Sequence, residues 1–593
     1  MNKTKLCALI IASASVFSSC SALKPQEPTE STVTTDEKTD DVTQITDTPP
    51  EEEKSTHNLY ASSDNGDGTF NNPVIYADVP DPDVISVVNA DGQRVYYMVS
   101  TTMHYSPGAC IMRSYDLVNW TVVNYAYDIM ADVDKLNLEN GEEAYAGGSW
   151  AASLRYFREK YYVMFCSYTT WKTYVCVTDD IENGDWEMSV IDELFYDPSL
   201  LFDESDDGTY RVFVVHGMKN IKLTELKQNL SGRLDGSKNK TIIENAGKAF
   251  SDDNEGAEGA HIYKIDGYYY IFLITWPSGT VRTQLCYRSE NIDGPYEGKV
   301  VYSGICDMKN VGVAQGGLIE TDNGYDHAML FEDHSAVGRT PVLIRVDWRD
   351  GWPILETAEV TSAKPVDGFE ISSIVSDDEF DSELSICWQW NHNPDNSLWK
   401  LEDGKLVLTT NKTVPSLVHA KNTLTQRTFG PECSAEILLD VSEMNNGDIT
   451  GLSAFLSKYS YIGVVMTDGE KYLAVAKNNG DVDEENVEYK SIIKLRSDVV
   501  RLKAVINYSE ARKVYYFYSY DGENWYRLAE KQKISYDLDM FVGCRFAIFY
   551  FSTEKAGGKV KADYFRVTES AELIGKAAED PSETKYDLIF EKD

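Results

Sequence analysis

From about residue 60 onward the chain is written in short apolar or alternating runs separated by Asp-Gly and Asn-Gly pairs. That pattern predicts antiparallel strands joined by tight turns. The clearest instance is Glu258-Gly259-Ala260-His261-Ile262-Tyr263-Lys264, which turns at Asp266-Gly267 into Tyr268-Tyr269-Tyr270-Ile271-Phe272-Leu273. The same layout recurs four times. Asp81-Pro82-Asp83 opens a run that turns at Asp91-Gly92, and Trp150-Ala151-Ala152 opens one that returns at Tyr161-Tyr162. Asp197-Pro198-Ser199 turns at Asp207-Gly208, and Gln315-Gly316-Gly317 turns at Asn323-Gly324. A third strand-like run follows each hairpin, at 110–113, 174–177, 221–223, 284–287 and 342–346. Repetition at roughly 45–70 residues predicts an all-β fold of radially arranged small sheets, a five-bladed β-propeller. Helical periodicity is scarce between the runs, which argues against βαβ layouts.

The propeller is placed at 65–360. Beyond Trp352-Pro353 the texture changes, and 370–568 reads as an antiparallel β-sandwich, with strands such as Lys405-Leu406-Val407-Leu408 and Val514-Tyr515-Tyr516-Phe517-Tyr518. Residues 569–593 read as a polar, loosely held tail. Residues 1–20 have the layout of a secretory signal: Lys3 and Lys5, an apolar run from Leu6 to Phe17, then small residues. Phe17-Ser18-Ser19-Cys20 resembles a bacterial lipobox, which implies lipidation at Cys20. Residues 21–57, rich in Thr, Pro, Glu and Asp, form an acidic linker expected to be disordered. The apolar run is too short to span a bilayer as a helix. The expected location is therefore outside the cytoplasm, tethered to the bacterial surface by lipid alone or secreted.

Charge narrows the partners. Formal net charge is −41, which argues against nucleic acid and anionic polymers and favours a neutral ligand. Apolar residues make up 42% and aromatic residues 12%, enough for large cores. The cysteines beyond Cys20 are scattered and contain no Cys-x-x-Cys pair, so buried free thiols are expected rather than zinc or a disulfide framework.

In a propeller the first strand of every blade lines the axis, so equivalent strand starts meet at one end. Three of the five starts carry acids, Asp81, Asp197 and Glu258, and a fourth carries Trp150. An acid beside Pro or Gly is commonly a turn residue. Three at equivalent positions of a repeat predict a site, because crowded carboxylates raise one another's pKa and a raised carboxyl is what an acid catalyst needs at neutral pH. Asp83, two residues beyond Asp81 and on the same face of an extended strand, is a rival for one of the roles. Trp171 and Trp276 are further candidate apolar walls, and Glu255 is read as a solvated neighbour of Glu258. The acidic loop 203–208 is read as a hairpin turn rather than a calcium loop.

These motifs together resemble glycoside hydrolase family 43. Asn72-Pro73-Val74-Ile75 with Pro80-Asp81-Pro82-Asp83 is similar to the family's opening motif, Tyr196-Asp197-Pro198-Ser199 to its second, and Glu258-Gly259-Ala260-His261-Ile262-Tyr263-Lys264 to the third, with Ala260 where the family commonly has Pro. The resemblance implies Asp81 as general base, Glu258 as general acid and Asp197 as the residue that orients the acid and tunes its pKa. It also implies Arg339, within Gly338-Arg339-Thr340-Pro341, as a substrate-binding residue; their places beside the acids make Trp150 and His261 further candidates. Phe380-Asp381, residues 388–394 and Gly430-Pro431 resemble the concanavalin-like C-terminal module of the family's β-xylosidases. No cofactor is expected. Relatives hold a calcium near a fifth-blade histidine, and 312–317 contains none, so a structural calcium has no support in the sequence.

The implied activity is inverting, exo-acting hydrolysis of terminal β-1,4-xylosyl or α-L-arabinofuranosyl units of hemicellulose oligosaccharides. An endo-acting arabinanase and a non-catalytic surface carbohydrate-binding lipoprotein are the alternatives.

Overall fold

The computed structural model describes residues 62–586 apart from 360, 367–373, 510, 511 and 538. The expected signal segment, Cys20 and the expected acidic linker lie outside the described residues. Five four-stranded antiparallel sheets form the first half, each from strands consecutive in that sheet. Their first strands are Asp83–Val88, Ala152–Phe157, Ser199–Glu204, Glu258–Ile265 and Val313–Thr321. Each of these packs against the next, and the last packs against the first, so the ring closes.

The sequence reason is visible in the second strand of the fourth sheet, Tyr268–Thr275, which is apolar almost throughout instead of alternating. Successive side chains of a strand point to opposite faces. Ile271 and Leu273 enter the core shared with the third sheet, beside Phe213 and Val215. Tyr270 and Phe272 enter the core shared with the fifth sheet, beside Leu330 and Val342. Both faces of the sheet are covered, so both must be apolar.

A three-stranded sheet of Ser62–Asp64, Thr69–Ile75 and Thr361–Ala363 ties the two ends of the propeller region together. The second half is built on two larger sheets facing one another. One of them ends in a strand borrowed from the propeller: Tyr105–Ser106 pairs with Gln389–Asn391 through Trp390↔Ser106 and Asn391↔Tyr105. One apolar core includes Met98 and Trp120 of the propeller together with Trp388, Phe429 and Phe546 of the sandwich. The two halves are therefore fused rather than tethered. Residues expected to form a loose tail are partly docked: Leu573 and Ile574 pack against the sandwich core at Val505, Tyr515 and Phe517, because these two apolar residues interrupt the polar run. All eight cysteines from Cys110 to Cys544 are buried free thiols. No helix among the described residues is long and apolar enough to cross a membrane.

Candidate active site

The ring brings the three acids to one end of the axis. Asp81 and Asp197 sit just ahead of the first strands of the first and third sheets, and Glu258 begins that of the fourth. Asp81 and Asp197 hold left-handed backbones, φ 50° and 45°. Strain of this kind persists where the surroundings over-determine it, often at functional sites. Gly259, at φ 67°, lets the chain turn beside Glu258, and a Cβ there would come within 3.0 Å of the Gln315 side chain. The Gly259 N–H donates to Asp197 Oδ2 at 3.1 Å, linking the second acid to the residue after the third.

Electrostatics follow from this crowding. Burial pushes the Glu258 carboxyl up to about 7; a hydrogen bond from Tyr196 and the Arg282 charge oppose the rise, and the Asp81 charge adds to it. Burial, then the charges of Glu258 and Asp81, drive Asp197 well above the carboxylate range. The proton held near neutrality belongs to this pair rather than to one member. The Tyr196 hydroxyl donates to Glu258 Oε2 at 2.6 Å. Asp81 is held from the other side: Arg339 Nη1 donates to both its oxygens, at 2.8 and 3.0 Å. Arg339 Nη2 donates to the carbonyl of Phe541, a sandwich residue, at 2.9 Å. Asp78 fixes this junction by accepting the N–H groups of Arg339 at 2.9 Å and Gly543 at 2.8 Å. Trp150 stands between the halves of the site, its ring 6.1 Å from Tyr196 and 5.8 Å from Phe541.

Residues 70–353 match the family model of glycosyl hydrolases family 43, and 377–568 match the β-xylosidase C-terminal concanavalin A-like domain. The chain belongs to glycosyl hydrolase family 43. Among relatives, a β-xylosidase of Formosa agariphila is 29% identical over 557 residues, covering 85% of this chain and 90% of that protein. The structure of a bifunctional GH43-CE protein of Bacteroides eggerthii is similar at TM-score 0.77 and 41% identity, covering 84% of this chain and 64% of that one. A GH43 glycoside hydrolase whose engineered active site displays endo-xylanase and exo-arabinofuranosidase activity matches at TM-score 0.76 and 28% identity, covering 85% of this chain and 100% of that one.

Within this family 43 glycosidase the remaining candidates separate. Asp83 is fully buried and pairs with Arg155 at 2.6 Å, while Nδ1 of His261 lies 3.2 Å from its other oxygen. Burial would raise the Asp83 carboxyl, but the charges of Arg155 and His261 and the hydrogen bonds it accepts outweigh that and hold it at about 2. The turn at Asp81 breaks the expected same-face relation, so Asp83 belongs to the axis. His261, expected among substrate-binding residues, lies on the axis as well. The pairing register shifts between Glu258 and His261, which turns the ring toward Asp83. An axial calcium does not fit: the Arg155 guanidinium occupies that region, donating to Asp83, the Leu200 carbonyl and Ser199 Oγ. Among the described residues no cluster of three His, Cys, Asp or Glu side chains could hold a metal.

Glu255 is exposed and paired with Lys219. Asp207 caps its own turn by accepting from Thr209. Trp171 and Trp276 are exposed, and Trp171 adjoins Tyr168. Sequence reasoning missed Tyr196, Tyr168, Asp78 and Phe541. Tyr196 stood inside a quoted motif, whereas nothing local to Phe541 points to a site.

Proposed function

We propose that this enzyme releases terminal β-xylosyl or α-L-arabinofuranosyl units from hemicellulose oligosaccharides with inversion. Glu258 protonates the leaving oxygen, Asp81 draws a proton from the attacking water, and Asp197 holds the acid in place through Gly259 and shares its proton. Inverting hydrolysis requires such an acid and base on opposite faces of the sugar. The observation that carries the assignment is the asymmetry of the two ends. Burial raises Glu258 to about 7 against the opposing hydrogen bond from Tyr196, while Arg339 grips Asp81 as an ion pair. Phe541 of the sandwich faces Trp150 of the propeller at the site, which favours a pocket for one terminal unit over an open groove. The names of the relatives support the choice of sugars.

The test is hydrolysis of xylobiose, aryl β-D-xyloside and aryl α-L-arabinofuranoside by the wild type and Glu258→Gln, with the product anomer followed by NMR. Loss of several orders in xylobiose turnover, with oligosaccharide binding retained, is expected. A variant that turns over xylobiose as the wild type does would remove Glu258 from the acid role, and retained anomeric configuration would remove Asp81 from the base role. We also propose that Cys20 carries a lipid anchor, supported by Lys3, Lys5 and the apolar run before it. Cys20→Ala should move the protein from the membrane fraction to the medium or periplasm, and unchanged fractionation would refute the anchor.

A further inference from the structure

Trp171 is costly as it stands. It occupies the turn between Lys160–Ser167 and Lys172–Thr178, with a left-handed φ of 60° and 57% of the residue exposed. A bulky side chain at positive φ is uncommon, and an exposed indole loses the burial that makes Trp favourable. Its surroundings suggest what offsets these costs. The Trp171 ring meets Tyr168 edge-on at 5.1 Å, and Tyr168 lies 4.8 Å from Trp150 and 6.0 Å from Tyr196. Tyr196 in turn donates to Glu258. An unbroken aromatic strip therefore runs from the acid out to solvent and ends on an open indole.

The side on which this strip lies determines its occupant. A general acid protonates the leaving oxygen, so the leaving part of the substrate departs past Glu258. Arg339 is committed to Asp81 and the Phe541 carbonyl, whereas the strip meets the site at the acid, where Tyr196 donates to Glu258. The strip thus follows the leaving group. Trp171 stands one aromatic residue beyond Tyr168, outside the first leaving-group position. Its surface is apolar with a polar rim, which suits the C–H face of a neutral pyranose, and the net charge of −41 disfavours an acidic one.

Resting on the glycosidase reading above, we propose that Trp171 and Tyr168 form an outer leaving-group subsite that stacks a neutral pyranosyl residue of a longer oligosaccharide. The enzyme then prefers chains of several sugars to the disaccharide. The test compares kcat/KM on aryl β-D-xyloside, xylobiose and xylotetraose for the wild type, Trp171→Ala and Trp171→Tyr. The loss in Trp171→Ala on xylotetraose should exceed that on the aryl xyloside by about tenfold, roughly 1.4 kcal/mol of binding. Trp171→Tyr should recover most of it by restoring an aromatic face. In the Glu258→Gln background, xylotetraose affinity by calorimetry should fall in parallel. Equal losses on all three substrates would mean a structural role and overturn the subsite, as would no loss on xylotetraose. A wild type inactive on every glycoside would overturn the glycosidase reading itself, and the subsite with it.

Discussion

Replacing Tyr196 by Phe removes one oxygen and isolates a single electrostatic effect. The hydroxyl donates to Glu258 Oε2 at 2.6 Å, a hydrogen bond that favours the ionised carboxyl and opposes the desolvation that raises its pKa. A hydrogen bond to a charged group contributes about 1.5–3 kcal/mol. At about 1.4 kcal/mol per pKa unit, its loss should raise the Glu258 pKa by about one to two units, and nearer one where water takes the vacated place. The sign follows from the role. The acid must carry its proton, so wild-type activity falls as pH rises through about 7, and in Tyr196→Phe that fall should move to higher pH. The assay is the pH dependence of kcat/KM on xylobiose, whose sugar leaving group needs protonation, with released xylose measured by a coupled dehydrogenase. The maximal rate should also drop, because the carboxyl loses a fixed orientation. An alkaline limb that stays in place, or moves to lower pH, would refute both the hydrogen bond's effect and the assignment of Glu258 to that limb.

Arg155→Met should lower the thermal midpoint strongly, because removing one partner of a buried ion pair costs about 3–5 kcal/mol. Asp83 has a depressed pKa, so its stabilisation is present above its unfolded value and fades as pH falls through about 2. The Arg155→Met penalty should shrink in the same direction, and a penalty constant across pH would refute this account. EDTA should leave kcat/KM unchanged, since a guanidinium already supplies positive charge on the axis; loss of activity restored by Ca²⁺ would contradict it. A propeller expressed without residues 370–593 should be insoluble or unfolded by circular dichroism. Its core is continuous with the sandwich, and Tyr105–Ser106 would become an unpaired edge. A soluble, cooperative propeller would refute that.

Local chemistry determined much of this protein. Asp-Gly and Asn-Gly turns between apolar runs dictate four hairpins, a fifth returns at Tyr161-Tyr162, and the five in series, without helices between, dictate repetition around an axis. Because equivalent strand starts must then meet, Asp81, Asp197 and Glu258 could be grouped from spacing alone, and the doubly covered blades explain why Tyr268–Thr275 is apolar almost throughout. What depends on meeting at a distance could not be read this way. Arg339 reaches Asp81 across 258 positions, and Asp78 reaches Gly543 across 465. Phe541 and Trp150 face each other only because the sandwich packs against the propeller. Two smaller choices belong to tertiary structure as well. The left-handed turn at Asp81 parts it from Asp83, and a register shift turns His261 to the axis. Alternation predicts facing only where a strand is regular, and both residues lie where it is not. Sequence thus determined which groups the chain brings to one end of its ring, and packing decided which of them face the site and which close the core beneath it.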